Sequence, residues 1–328
     1  MSIAAFVLIA FMITVYVLLD GYDLGVATIT PLVARSDRQR EGSMRSIGPF
    51  WNGNEVWLIA GGAALFALFP KAYASSFSGF YLPFIIVLWL LMFRGIAMEL
   101  RPQFPSEIWH QFWDFCFAAS SVLLILLFGV ALGNLLHGVP LGPDGYFEGT
   151  FDELLNPYSL LVGVFAVTAL ALHGTTFLIM RTAGSAAQRA QRLVPRLWPA
   201  VLVLYVAVTA ATIAERGIAF SWIDLIPLLS LASLVALLFL SLNKREQGAF
   251  AASSVFLASL LVQAAVTLYP YLLPGLPPRQ GGISIFDASP GPIALASALT
   301  VTIVGLVAVV IYGTLVMRQM EEKLVIED

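Results

Sequence analysis

Apolar runs of spanning length follow one another along the chain, each close to the roughly 20 residues that a helix needs to cross a bilayer core. They fall at approximately residues 3–31, 51–69, 74–97, 112–136, 158–180, 197–215, 221–242, 249–270 and 291–317. The pattern predicts nine transmembrane helices in one integral membrane domain over residues 1–328. The sixth and seventh runs are separated only by the turn at Glu215, Arg216 and Gly217. The expected class is an all-α polytopic membrane protein.

Three of these runs are interrupted by groups that a membrane helix normally excludes. The second opens with PFWNGNEVW (Pro49 to Trp57), which carries Asn52, Asn54 and Glu55 in its first turns. The first contains Asp20 and Asp23 in LLDGYDLGV, and the third ends in FRGIAMELR with Arg94 and Glu99. An ionised side chain at the bilayer centre costs about 3 kcal/mol even on lenient insertion scales. Glu55 therefore needs compensation, and Asp20, Asp23, Arg94 and Glu99 are the groups available to share one buried polar site with it.

The connecting loops set the orientation. Arg35, Arg38, Arg40, Arg45, Arg101, Arg181, Arg189, Arg192, Arg196, Lys244, Arg245, Arg318 and Lys323 fall on one side, against Lys71, Arg216 and Arg279 on the other. The positive-inside rule then predicts an N-terminus outside and a C-terminus in the cytoplasm. That orientation brings every strong polar intrusion of the first four helices, Asp114 included, toward the cytoplasmic side. The opposite loops, HGVPLGPDGYFEGTFDELLNP and LPGLPPRQGGISIFDASPGP, read as ordered or semi-ordered caps rather than domains. The first apolar run lacks a basic leader and continues through its acids, so it is expected to be retained as a helix.

Composition narrows the function classes. The 328 residues are 59% hydrophobic and 11% charged, against about 25% charged in an ordinary soluble domain. A net charge of -3 offers no basic field for nucleic acid. The single Cys116 excludes an intrachain disulfide or thiolate cluster. Of His110, His137 and His173, only the last lies within a span, which argues for a hydrogen bond to a neighbouring helix rather than a haem or metal ligand. The aromatic residues suit interfacial belts and, secondarily, a flat apolar ligand such as a quinone or lipid tail.

Spacing refines the candidate site. Asp20 and Asp23 are i, i+3 and share a face, while Gly21 and Gly25 let a neighbouring backbone come close. Trp51 and Glu55 are i, i+4, so the indole can cover the carboxylate. Acids beside one arginine, open to the cytoplasm, suit a proton or cation path; they equally suit helix capping and packing. The boundary residues Asp114 and Glu99 fit packing, and the deeper Asp23 and Glu55 fit a functional role. A proton- or cation-coupled secondary transporter and a purely structural subunit both remain open.

At LLDGYDLGV, PFWNGNEVWLIAGGAALFALFPKAYASSFSGFYLP, RGIAMELR, GNLLHGVP, LLNPYSLL, and LYPYLLPG followed by ISIFDASP, the chain resembles subunit II of the cytochrome bd-type quinol oxidases, in order over nearly its whole length. The resemblance implies two four-helix bundles and a peripheral helix, paired pseudo-symmetrically with a haem-bearing subunit I. It implies a complex of the bacterial inner membrane that oxidises quinol and reduces oxygen to water with cytoplasmic protons. Haems b and d are expected in subunit I and none in this chain, with membrane lipid around it and room for a small single-helix accessory subunit. The family's important positions fall on Asp23, Trp51, Arg94 and the residue after Trp51. That residue departs from the well-known pattern, which has Asp; here it is Asn52, which can hydrogen-bond but not ionise. Glu55 or Asp23 then takes the protonatable role, or protons arrive through subunit I.

Overall fold

The computed structural model describes residues 1–216, 225–276, 282–318 and 323–325. The helices in chain order are α1 (Ser2–Val33), α2 (Asp37–Ile47), α3 (Trp51–Leu68), α4 (Pro70–Gly79), α5 (Tyr81–Leu100), α6 (Glu107–His137), α7 (Pro157–Arg181), α8 (Ser185–Arg216), α9 (Leu225–Leu242), α10 (Glu246–Leu268), α11 (Ile285–Ala288) and α12 (Pro292–Arg318). Short strands are β1 (Thr182–Ala183), β2 (Tyr271–Leu273), β3 (Ile283–Ser284) and β4 (Leu324–Val325). Among the described residues, 8 helices are long and apolar enough to cross a membrane. The 18-residue α3 stands apart because Asn52, Asn54 and Glu55 lower its hydropathy, and it is the helix that carries the site.

The long helices pack as α1, α3, α5 and α6 beside α7, α8, α9 and α10, with α12 outside against α3. The two sets meet where α7 lies against α1 and α6. Gly25 and Gly174 touch there: a Cβ on Gly25 would come within 2.1 Å of the Leu170 carbonyl oxygen, and one on Gly174 within 2.3 Å of the Gly25 carbonyl carbon. No side chain fits between α1 and α7 at that level, so the small-residue positions expected on α1 do serve a close approach.

Several boundaries differ from the hydropathy pattern. The third run, expected from 74, divides at Phe80 into α4 and α5. Pro83, which has no N–H to donate, sits in the first turn of α5, where that loss costs nothing. The sixth run, expected from 197, begins at Ser185. Its arginines 189, 192 and 196 belong to an amphipathic extension whose other face buries Ala186, Ala190 and Val194. The loop at 35–45 likewise contains the polar helix α2, capped where the Ser36 side chain accepts from the Gln39 amide. Residues 221–224 of the expected seventh run, Gly217 of the preceding turn, and Arg279 lie outside the described residues.

Call the end of the bundle bearing α2 the basic face and the opposite end the cap face. On the cap face the two Gly- and Pro-rich loops join: the Val139 amide donates to Pro274 O at 2.9 Å and the Leu276 amide to Val139 O at 3.1 Å. Gly138, at φ 105°, makes that junction, since only glycine adopts this backbone freely. Leu141, Leu154, Leu273, Ile283 and Ile285 close over the ends of α1, α3 and α4. The described parts of these loops form an ordered cap.

Candidate functional site

Arg94, fully buried in α5, is the centre of the polar site. It forks onto Asp20 of α1, donating from Nη2 to Oδ1 at 2.6 Å and from Nη1 to Oδ2 at 3.1 Å. Nη1 also donates to Glu55 Oε1 of α3 at 3.1 Å, and Nη2 lies 3.8 Å from Asp23 Oδ2. A planar guanidinium suits this because its donors diverge in a fixed fork. One cation thereby faces three carboxylates contributed by two other helices. Asp20 and Asp23 share a face of α1 as their spacing requires. The side chains of Asp20, Asp23 and Arg94 are 0% exposed, whereas that of Glu55 is 24% exposed. Glu55 is thus the member that reaches the surface of the chain.

Asn54 completes the cluster. Its Nδ2 donates to Asp23 Oδ2 at 2.7 Å and to the Tyr22 hydroxyl at 2.9 Å. Sequence reasoning placed Asn54 near the site without selecting it; as the neighbour of Glu55 it points about 100° away, toward α1 rather than α5. Trp51 lies against Gly95, the neighbour of Arg94 in α5, its Cη2 standing 3.4 Å from where a Gly95 Cβ would be. The Arg94 Nε and Asp23 Oδ1 atoms are buried without a hydrogen-bond partner.

Two expected members lie elsewhere. Glu99 is exposed, and its backbone carbonyl accepts from the Gln103 side chain. Five residues beyond Arg94, it is turned about 140° around α5. Asn52 is also exposed, because it sits about 160° around α3 from Asn54, which faces α1. Neither is part of the buried cluster.

A second polar group ties the basic face. Arg101 donates to Asp114 Oδ1 and Asp37 Oδ1, both at 2.6 Å, Arg40 pairs with Asp114 at 2.9 Å, and His110 Nδ1 is 3.1 Å from Asp37. These contacts fasten α2 to the α5–α6 junction, in accord with a packing role for Asp114. His173 uses both ring nitrogens, on Ser253 Oγ at 2.6 Å and the Leu18 carbonyl at 3.0 Å, so it does not fit as a haem ligand. Among the described residues, no group of three or more His, Cys, Asp and Glu side chains is arranged to hold a metal ion.

Comparison with known proteins supplies the context. The family model described as cytochrome bd terminal oxidase subunit II matches residues 1–320. The chain is 32% identical over 328 aligned residues to the cytochrome bd-I ubiquinol oxidase subunit 2 of Escherichia coli K12, covering 89% of this chain and 85% of that one. It is 29% identical to the cytochrome bd ubiquinol oxidase subunit 2 of Bacillus subtilis, covering 88% and 87% respectively. Its fold matches a chain of the bd oxidase from Geobacillus thermodenitrificans with a TM-score of 0.80 at 18% identity, over 98% of both chains.

Proposed function

The chain belongs to the cytochrome bd terminal oxidase subunit II family, and from that premise we propose that it is the non-haem subunit of a quinol oxidase and carries part of the complex's proton supply. In this reading a haem-bearing subunit I binds haems b and d, oxidises quinol and reduces oxygen, while this chain holds that subunit in the membrane. The basic face is cytoplasmic, with the N-terminus outside. The membership sets aside the transporter alternative.

The observation that carries the proton role is the charge count around Arg94. Three buried or half-buried carboxylates face one guanidinium, and three ionised acids there would leave two charges uncompensated at a cost of several kcal/mol each. The cluster is a place where protons are held and exchanged. Glu55, partly exposed, takes up a proton, and Arg94 holds Asp20 and Asp23 within reach of the next transfer. Asn52, outside the cluster, has no part in this path. A subunit that serves only assembly would need the Asp20–Arg94 fork and nothing more.

The test is the assembled complex purified through a tag on this chain. Haem bands of the b and d kinds, together with a second multi-helix subunit, are expected in its reduced-minus-oxidised spectrum. Asp23→Asn combined with Glu55→Gln should keep those bands and slow quinol-dependent oxygen consumption about a hundredfold, the lower end of the range for loss of a proton-transfer group, about 10²–10⁴. Unchanged turnover in fully assembled double variant removes the proton role, and a colourless solitary chain removes the oxidase role.

A further inference from the structure

Two polar side chains reach the same turn of α1 from opposite neighbours. His173 of α7 donates through Nε2 to the Leu18 carbonyl at 3.0 Å, and the Asn54 amide of α3, whose two hydrogens go to Asp23 and the Tyr22 hydroxyl, stands 3.4 Å from the Leu19 carbonyl. Both carbonyls also accept from within α1, from the amides of residues 22 and 23. The Leu18 carbonyl therefore takes His173 as a second donor on its remaining lone pair, while Asn54 holds the same turn through its bonds to Tyr22 and Asp23. The turn held in this way carries Asp20 and Asp23.

Each donor is itself held. Because Nε2 of His173 faces a carbonyl it carries the hydrogen, which leaves Nδ1 to accept from Ser253 of α10 at 2.6 Å. The same ring stacks on Phe250 at 5.0 Å between centroids. Asn54 is 4% exposed and spends its strongest contact, 2.7 Å, on Asp23 itself. Tyr22, between the two, stacks on Phe177 at 4.0 Å and meets Asn54 through its hydroxyl. The glycine contact between α1 and α7 one turn further on leaves the helix no room to slide.

Packing alone would be served by apolar side chains, since a buried amide or imidazole carries a desolvation penalty that its hydrogen bonds must offset. We infer that Asn54 and His173 are the positioning residues of this site: they fix the rotation and height of the Leu18–Asp23 turn, and so keep Asp23 3.8 Å from Arg94 rather than in a second fork. An Asp23 drawn into a tight pair with Arg94 would hold its charge and stop exchanging a proton. This inference rests on the proton role proposed above.

The experiment uses purified, assembled oxidase carrying Asn54→Leu or His173→Leu, each alone and combined with Asp23→Asn. The readings are kcat and KM for quinol, the solvent deuterium isotope effect, and the haem spectrum. Asn54→Leu is expected to lower kcat about tenfold, the scale of one hydrogen bond to a charged group. KM and spectrum stay constant while the isotope effect rises, and the loss vanishes in the Asp23→Asn background. His173→Gln, which keeps a donor, restores most of what His173→Leu loses. If Asp23→Asn slows turnover while both leucine variants leave kcat and the isotope effect unchanged, the positioning role is overturned and the proton path stands. If Asp23→Asn with Glu55→Gln has no effect, both fall together. Should the leucine variants not assemble, Asn54→Ser and His173→Asn, too short to reach α1, carry the same expectation and the same overturning result.

Discussion

Arg94 shows how one residue can be indispensable without making the molecule more stable than an apolar alternative would. Burying a guanidinium costs several kcal/mol, which its pairs roughly repay. Its removal is a different matter, because Asp20, Asp23 and Glu55 would then lie with no cation among them. Arg94→Ala is expected to cost about 3–5 kcal/mol and to strip the oxidase complex from the membrane fraction, measured as haem-bearing complex per milligram of membrane protein. Arg94→Lys keeps the charge but replaces the fork by a point charge, so complex yield should fall between wild type and alanine. Equal yields for all three would show that the cluster does not depend on this cation. The sequence made the membership of Asp20, Asp23, Glu55 and Arg94 legible, since each is an acid or base interrupting an apolar run. It could not separate Asn54 from Asn52, which share a composition and differ only in the face they occupy.

At the scale of the helix, two devices place the site. The first is the contact between Gly25 and Gly174, which fixes α1 against α7. Gly25→Leu would drive a side chain into the Leu170 carbonyl and is expected to abolish assembly, whereas at Gly248 a Cβ meets only ordinary contacts at 3.4 Å and beyond. Gly248→Ala should change thermal stability in detergent by no more than about 0.5 kcal/mol. The second device is α2, joined to α5 and α6 by Arg101, Asp37 and Asp114. Arg101→Ala leaves both acids without their shared donor, and α2 should become cleavable by trypsin at Arg40 or Arg45 in folded complex. Resistance equal to wild type would mean that the remaining ties, Arg40 to Asp114, His110 to Asp37 and Arg189 to the Val33 carbonyl and Gln39, suffice to hold the segment. The hydropathy pattern passed over α2 because an eleven-residue helix of charged and polar residues has no apolar signature to detect.

For the whole molecule the distribution of charge sets how it sits in the membrane. The basic face holds α2, the turn after α5 and the connections from α7 to α8 and α9 to α10, while the cap face carries Asp144, Glu148, Asp152 and Glu153. The positive-inside rule predicts that the basic face is the cytoplasmic one. In a Cys116→Ser background, Asp144→Cys should react with a membrane-impermeant maleimide in intact spheroplasts, and Gln103→Cys only after permeabilisation. The reverse labelling would invert the molecule and place the acidic cluster on the wrong side for collecting cytoplasmic protons.

Hydrophobic runs and their polar interruptions were enough to specify a polytopic helical protein and to draw attention to Asp20, Asp23, Glu55 and Arg94, because a bilayer penalises each unpaired polar group so heavily that any such group must have a reason. The direction in which each polar residue points is another matter. Glu99 and Asn52 turn outward and Asn54 turns onto Asp23 because of the rotation of α3 and α5 about their own axes. That rotation is settled by contacts between helices distant in sequence, such as Trp51 over Gly95 and Asn54 on Tyr22 and Asp23. Only the packed bundle decides it.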